Sequence, residues 1–221
     1  MANKLAASFV GLLVLAVCII APTASASDNN AASTVEPATI SLSGVGQQAS
    51  QMFTLTEGLS IFTMKHSGSS NFIVHLLDSK GNQVGISLVN EIGAFNGAKA
   101  VGISTSGDYI LDIAADAPWT VDITQPRPQT AQSVPVSFSG KGQQVSQFFT
   151  LTPGLARFKL MHNGESNFIV HLLDSKGNQV GISLVNEIGA FNGSKAMGIE
   201  NSGIYCLDIG ADGNWKIDIS Q

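Results

Sequence analysis

The sequence predicts an all-β protein built of two tandem antiparallel β-sandwich domains, and three observations carry that prediction. The stretch Ser70–Gly97, SNFIVHLLDSKGNQVGISLVNEIGAFNG, returns letter for letter at Ser166–Gly193. The offset of 96 residues, from His75 to His171, also pairs Tyr109 with Tyr205, Trp119 with Trp215, Phe53 with Phe149 and Gly58 with Gly154, so one module is written twice. Each copy is a series of short β-rich runs parted by Gly, Pro, Asp and Ser turn signals, with no helical periodicity beyond residue 26. A content of 44% hydrophobic and 12% charged residues in a chain of 221 can fill two modest cores and is too apolar for disorder.

Residues 1–26 read as a cleaved signal peptide. Lys4 gives a short positive start, Phe9–Ile20 an apolar run, Pro22 a break and Ala24-Ser25-Ala26 a small-residue cleavage site, so the mature chain is expected to begin near Ser27. An uncleaved anchor is the alternative, although the apolar run is shorter than the roughly 20 residues a spanning helix needs. Lipidation of Cys18 is disfavoured because Val17 is large and Ile19-Ile20 continues the apolar run. Residues 27–37 are polar and small and read as a flexible tether.

Loss of Lys4 with the signal moves the formal charge from −5 to −6, and no basic cluster offsets it. That balance argues against nucleic acid and anionic lipid as partners. Cys206 is the one cysteine left after cleavage, so each core must hold by apolar burial without a disulfide framework. It replaces Ile110 of the first copy and reads as a buried apolar residue, with an accessible cross-linking thiol as the alternative.

The first copy spans residues 38–125. Its expected strands are Thr39–Ser43, Ala49–Leu55, Leu59–His66, Asn71–Leu77, Gln83–Val89, Lys99–Ser104, Asp108–Ala114 and Trp119–Thr124, with Gly44-Val45-Gly46 as the first turn. Asp78-Ser79-Lys80-Gly81-Asn82 is a hairpin turn, since Gly81 and Asn82 tolerate positive φ. Alternation turns Tyr109, Leu111, Ile113, Trp119, Val121 and Ile123 inward, together with Phe62, Met64, His66 and their twins Phe158, Leu160, His162. Asn71–Leu77 is apolar on both faces apart from His75, as in a strand covered on both sides or lying beside the other domain. Residues 126–133 form a proline-stiffened linker of short reach, and the second copy spans 134–221. No stop-transfer helix, wall-sorting tail or lipid signal is expected after it.

Phe53-x-Leu55-x-x-Gly58-Leu59, Asn71-Phe72-x-Val74-x-Leu76-Leu77-Asp78-x-x-Gly81, Gly107-x-Tyr109-x-Leu111-x-Ile113 and Trp119-x-Val121-x-Ile123 together resemble the bacterial and archaeal pre-peptidase C-terminal domain, over nearly all of each copy. The resemblance implies a jelly-roll-like sandwich that assists secretion, targeting or substrate attachment of exported enzymes. Since no catalytic domain precedes the first copy, a free-standing surface or matrix protein is expected.

Catalytic residues are not expected. Only His66, His75, His162 and His171 could serve as bases, and no Gly-x-Ser-x-Gly elbow accompanies them. His66 reads as a hydrogen-bonded strand-end residue reaching the Gly68–Asn71 turn. His75 and Asp78 point to opposite faces, and Asp112, Asp116 and Asp122 lack the spacing of a calcium loop, so no metal or other cofactor is expected. The Trp and Tyr residues lie in phase with the core, which disfavours an aromatic sugar platform.

Candidate ligand-binding residues are in the identical segment: Asp78 and Asn82 of the hairpin turn and Asn90, Glu91, Phe95 and Asn96 of a glycine-bearing loop at Asn90–Gly97. Their twins are Asp174, Asn178, Asn186, Glu187, Phe191 and Asn192. Phe95 and Phe191 read either as plugs of the sandwich end or as contacts. Asn192-Gly193-Ser194 is a glycosylation sequon absent from copy one. The copies differ at expected surface positions, Ile61 against Arg157 and Ser69 against Glu165, whereas the segment is identical even at polar positions. Selection for a shared contact or recent duplication would each produce this. The expected function is a secreted, non-enzymatic cell-surface or extracellular-matrix binding module whose partner is an envelope or matrix polysaccharide or protein. The alternative is a structural subunit that self-associates through exposed strand edges into filaments.

Overall fold

Alternating apolar and polar residues fold each copy into two facing sheets. The computed structural model describes Met1 and residues 36–221, so the expected signal peptide, its cleavage site and most of the tether lie outside the described residues. Copy one contains β1 (Ile40–Val45), β2 (Gln48–Ala49), β3 (Phe53–Leu55), β4 (Gly58–His66), β5 (Asn71–Asp78), β6 (Val89–Ile92), β7 (Phe95–Ile103), β8 (Gly107–Ala114) and β9 (Pro118–Thr124). A short β10 (Gln132–Ser133) follows, pairing parallel with β13 (Phe149–Leu151). Copy two repeats the series as β11 (Val136–Lys141), β12 (Gln144–Val145), β13, β14 (Gly154–His162), β15 (Asn167–Asp174), β16 (Val185–Ile188), β17 (Phe191–Ile199), β18 (Gly203–Gly210) and β19 (Asn214–Ser220). No helix among the described residues is long and apolar enough to cross a membrane.

In copy one the sheet β1-β9-β4-β7 faces a sheet in which β8 pairs β2, β3 and β5, and β5 pairs β6. With β2 and β3 counted as one interrupted strand, the orders are first-eighth-third-sixth and second-seventh-fourth-fifth, which is a jelly roll. Copy two has the same order, and each copy has its own core. The chain is therefore two tandem jelly-roll sandwiches. The inward residues are those the alternation selects: Phe62, Met64, Leu111, Ile113 and Val121 are fully buried in copy one, as are Phe158, Leu160, Leu207, Ile209 and Ile217 in copy two. Trp119 Nε1 donates to Gly46 O at 3.1 Å and Tyr109 Oη to Thr105 O at 2.6 Å, so both polar tips are satisfied. Trp215 and Tyr205 repeat these bonds to Gly142 O and Asn201 O.

The structure departs from the expected strands between residues 83 and 97. Gln83–Val89 is not a strand: Gln83 makes one isolated bridge to Leu77, and Val84 N and Leu88 N donate to Leu76 O and Val74 O. Gly85 at φ +68° breaks the ladder, and Leu88 and Val89 are both buried, which no alternating strand permits. Asn90–Gly97 is conversely not a loop. It is the end of β6, a tight turn at Gly93 and the start of β7. Likewise Gly44-Val45 belongs to β1, and the strand expected over Ala49–Leu55 is split into β2 and β3.

The sandwiches meet through unlike faces. The outer side of β4 and β7 in copy one packs on the outer side of β15 and β18 in copy two, burying Leu59, Ala100, Leu173 and Cys206 with Ile61, Val145 and Phe148 against them. Ile61 is thus a contact residue rather than the free surface position expected from its exchange for Arg157. Lys99 Nζ lies 2.5 Å from Asp208 Oδ2, and Asp208 Oδ1 accepts from Ala100 N at 3.1 Å. At the edge of β7, Ala98 N donates to Gln143 O, and Gln143 Nε2 donates to Leu88 O. Gly102 and Gly177 touch backbone to backbone: a Cβ on Gly102 would come 2.8 Å from Gly177 O. The burial expected on both faces of Asn71–Leu77 is realised in its twin, where Leu173 is covered by the other sandwich.

Candidate functional site

At one end of each sandwich the register aligns two rows of side chains across three strands. Along β7, β4 and β9, Phe95, His66 and Trp119 form a row of rings, and Asn96, Lys65 and Thr120 form the next row on the opposite face. Together they line a recess of about 590 Å³. Copy two builds the same recess, about 440 Å³, from Phe191, His162 and Trp215 beside Asn192, Met161 and Lys216. The polar row keeps one lysine in each copy, on β4 in the first and β19 in the second.

Phe95 is half-buried as the first residue of β7, tilted against Phe72 at 5.7 Å between ring centres. It therefore fills part of the sandwich end and leaves part of its surface exposed. Phe191 does the same against Phe168 at 6.0 Å. His66 stacks on Phe72 at 4.6 Å; its Nδ1 donates to Gly93 O at 2.9 Å, and its Nε2 lies 3.0 Å from Asp116 Oδ1. The ring also reaches the Gly68–Asn71 turn expected from the sequence, since a Cβ on Gly68 would come 2.5 Å from its Nε2. Asp116 links the two, because its other oxygen accepts from Ser69 N and Ser70 N. The Ser69 amide, ahead of other contacts, holds the Asp116 carboxyl below its ordinary range.

The other candidate residues lie elsewhere. Asp78 is at the far end of β5 from the recess, seven residues or about 23 Å along the strand. Its Oδ1 accepts from Lys80 N and Asn82 N, both at 2.8 Å, and its Oδ2 from Asn82 Nδ2 at 2.9 Å. Asp78 and Asn82 therefore hold the turn, with the Asn82 side chain as the main cause of a lowered Asp78 pKa. Of the two residues expected to tolerate positive φ, only Gly81 adopts it, at +83°. Asp174 and Asn178 repeat the bonds, but their turn leans on copy one through Gly177. Asn90 and Glu91 line a cleft of about 320 Å³ between the sandwiches, with Lys99, His171, Asp208 and Asp212. Burial, and then Asp212, raise the Glu91 carboxyl. Their twins Asn186 and Glu187 are exposed on β16. The sequon residue Asn192 is an exposed residue of β17, not of a loop. Cys206 is fully buried between the sandwiches, and burial pushes its thiol up to about 12.

Sequence reading missed several residues. Lys65 and Trp119 share the recess with Phe95 only through strand register, which no local pattern encodes. Ile86, Ile92, Ile182 and Ile188 are exposed large apolar residues at matching positions of the identical segments, and at least Ile92 could have been flagged by its place beside Gly93.

His171 gives the contact between sandwiches a pH dependence. Burial lowers its pKa, with Asp208 opposing and Lys99 adding to the shift. A histidine depressed by folding favours the folded state at pH above its unfolded value, and that contribution falls as protonation sets in. Urea midpoints are expected to decline as pH drops from about 7 to about 5, and less steeply in His171→Gln. The lowered carboxyls Asp78, Asp116 and Asp218 add their losses only at more acid pH.

No family model and no curated protein matches the chain. Among solved structures, the PBSX exported protein XepA aligns with 80% of this chain and 86% of its own at 8% identity and a TM-score of 0.25. A conserved protein of unknown function from Pseudomonas aeruginosa PAO1 aligns over 80% and 82% at 12% identity and 0.23. A cupin 2 conserved barrel domain protein from Leptotrichia buccalis aligns over 84% and 89% at 12% identity and 0.21. Scores this low carry no argument, and the jelly-roll fold stands on the strand order of the chain itself.

Proposed function

We propose that the protein is a non-enzymatic binding module of the cell surface or extracellular matrix that holds an envelope or matrix polysaccharide or protein through two equivalent sites. The observation that carries this reading is the recess formed twice by the same three-strand register, each with a half-exposed phenylalanine, an asparagine and a lysine. Aromatic surface beside amide and ammonium donors suits a partner with apolar faces and abundant oxygen acceptors. The jelly-roll order is what the resemblance to the pre-peptidase C-terminal domain implies, and attachment is a role that the resemblance suggests. Two sites on one chain raise the effective concentration of the second, so avidity exceeds either affinity by ~10²–10⁴ where geometry lets both engage.

The test is a pull-down of envelope material with Phe95→Ala, Phe191→Ala and the double variant, each checked by melting temperature. Each single variant is expected to lose little capture and the double to lose about 10²-fold or more. Unchanged capture in a folded double variant would sink the proposal.

A further inference from the structure

The contact between the sandwiches joins two different surfaces, and the repeat gives each sandwich both. Copy one uses Leu59, Lys99, Ala100 and Gly102; copy two uses Gln143, Leu173, Gly177 and Asp208. The same letters stand open on the opposite partners, as Leu155, Lys195, Ala196 and Gly198 in copy two and as Gln47, Leu77, Gly81 and Asp112 in copy one. Leu59 is 0% exposed whereas its twin Leu155 is 64% exposed. Asp208 is buried and Asp112 is exposed. Phe148 packs against the contact, while its counterpart Met52 is 57% exposed. Gly102 and Gly177 touch, yet a Cβ on Gly198 or Gly81 would have no atom within 4 Å.

We infer that these two open surfaces take a second copy of this chain, head to tail, by the contact the chain already makes within itself. Lys195 of one chain pairs with Asp112 of the next, Ser194 N on the free edge of β17 donates to Gln47 O, and Leu155 and Ala196 cover Leu77, Ile110 and Met52. The ion pair and the glycine approach use the same residues as the existing contact, and its apolar surface recurs with Met52 for Phe148, Ile110 for Cys206 and Ala49 for Val145. The exchange least suited to it is Arg157 for Ile61, whose aliphatic stem can lie along the apolar surface while its guanidinium stays in water at the rim. Joining unlike surfaces does not end at a dimer: successive chains close into a ring or run on as a fibre. Within a chain the linker supplies the second surface at roughly millimolar effective concentration, so between chains the contact forms only as concentration rises.

Sedimentation velocity of residues 27–221, from about 10 μM to about 1 mM, tests this with Asp112→Lys, Lys195→Asp and both together. Each single reversal is expected to raise the concentration for half-assembly by more than about tenfold. The doubly reversed chain regains assembly, and so does an equal mixture of the single variants, which forms one reversed and one native pair in alternation. Leu155→Glu abolishes assembly with an unchanged melting temperature. A wild-type chain that stays monomeric throughout, or single reversals that assemble as wild type does, would overturn the inference.

Discussion

Replacing Trp119 or Trp215 by alanine is expected to destabilise its own sandwich by about 3–5 kcal/mol, the range of a buried aromatic deletion. The side chains are 3% and 4% exposed, and their indole N–H groups donate to Gly46 O and Gly142 O. The rings pack directly on backbone: a Cβ on Gly44 would come 2.5 Å from Trp119 Cζ2, and one on Gly140 equally close to Trp215 Cζ2. Alanine therefore leaves a cavity and an unpaired carbonyl, with the neighbouring chain too rigid to collapse into the space. Calorimetry should show the mutated half melting ahead of the other, splitting the coupled transition, since each half has its own core. Near-neutral substitutions would place the Trp rings outside the cores.

Lys99→Met should uncouple the two halves. The Asp208 side chain is 4% exposed and that of Lys99 18%, so the methionine keeps the apolar stem and leaves a buried carboxylate with Ala100 N as its remaining partner across the contact. Breaking such a pair from one side costs about 3–5 kcal/mol. Asp208→Asn should cost less, because its amide oxygen still accepts from Ala100 N and the charge left without its partner is that of Lys99, the more exposed of the two. In chemical denaturation the wild type is expected to unfold in one coupled transition and Lys99→Met in two. A single unshifted transition in Lys99→Met would mean that the ion pair contributes nothing to the docking.

What the sequence disclosed follows from the range over which each signal acts. Strands β8 and β9 alternate, and in β14 Arg157 and Lys159 mark the outer face, so inward residues could be named and the repeat carried the assignment to β4. Residues 83–97 resisted because Leu88 and Val89 are buried in succession and Gly85 leaves the ladder, which period-two reasoning turns into a strand followed by a loop. Phe95 was legible as unusual, but its alignment with His66 and Trp119 depends on pairing between distant segments. The contact between halves left its trace in the differences between the copies, such as Cys206 for Ile110. Ile61 against Arg157 carried the same information, read as surface drift.

The register of the outermost pairing decides how each sandwich bears load. Ile40 opens β1 opposite Ile123 near the end of β9, and Val136 opens β11 opposite Ile219 near the end of β19. The entry and exit of each sandwich are thus adjacent ends of one antiparallel ladder. Tension drawn through the chain pulls those ends apart and opens the hydrogen bonds one pair after another, like a zip, instead of shearing the whole ladder at once. Pulled from its two ends, a sandwich of this order is expected to yield at low force by peeling β1 from β9 or β11 from β19, so the chain lengthens while the load it transmits stays small.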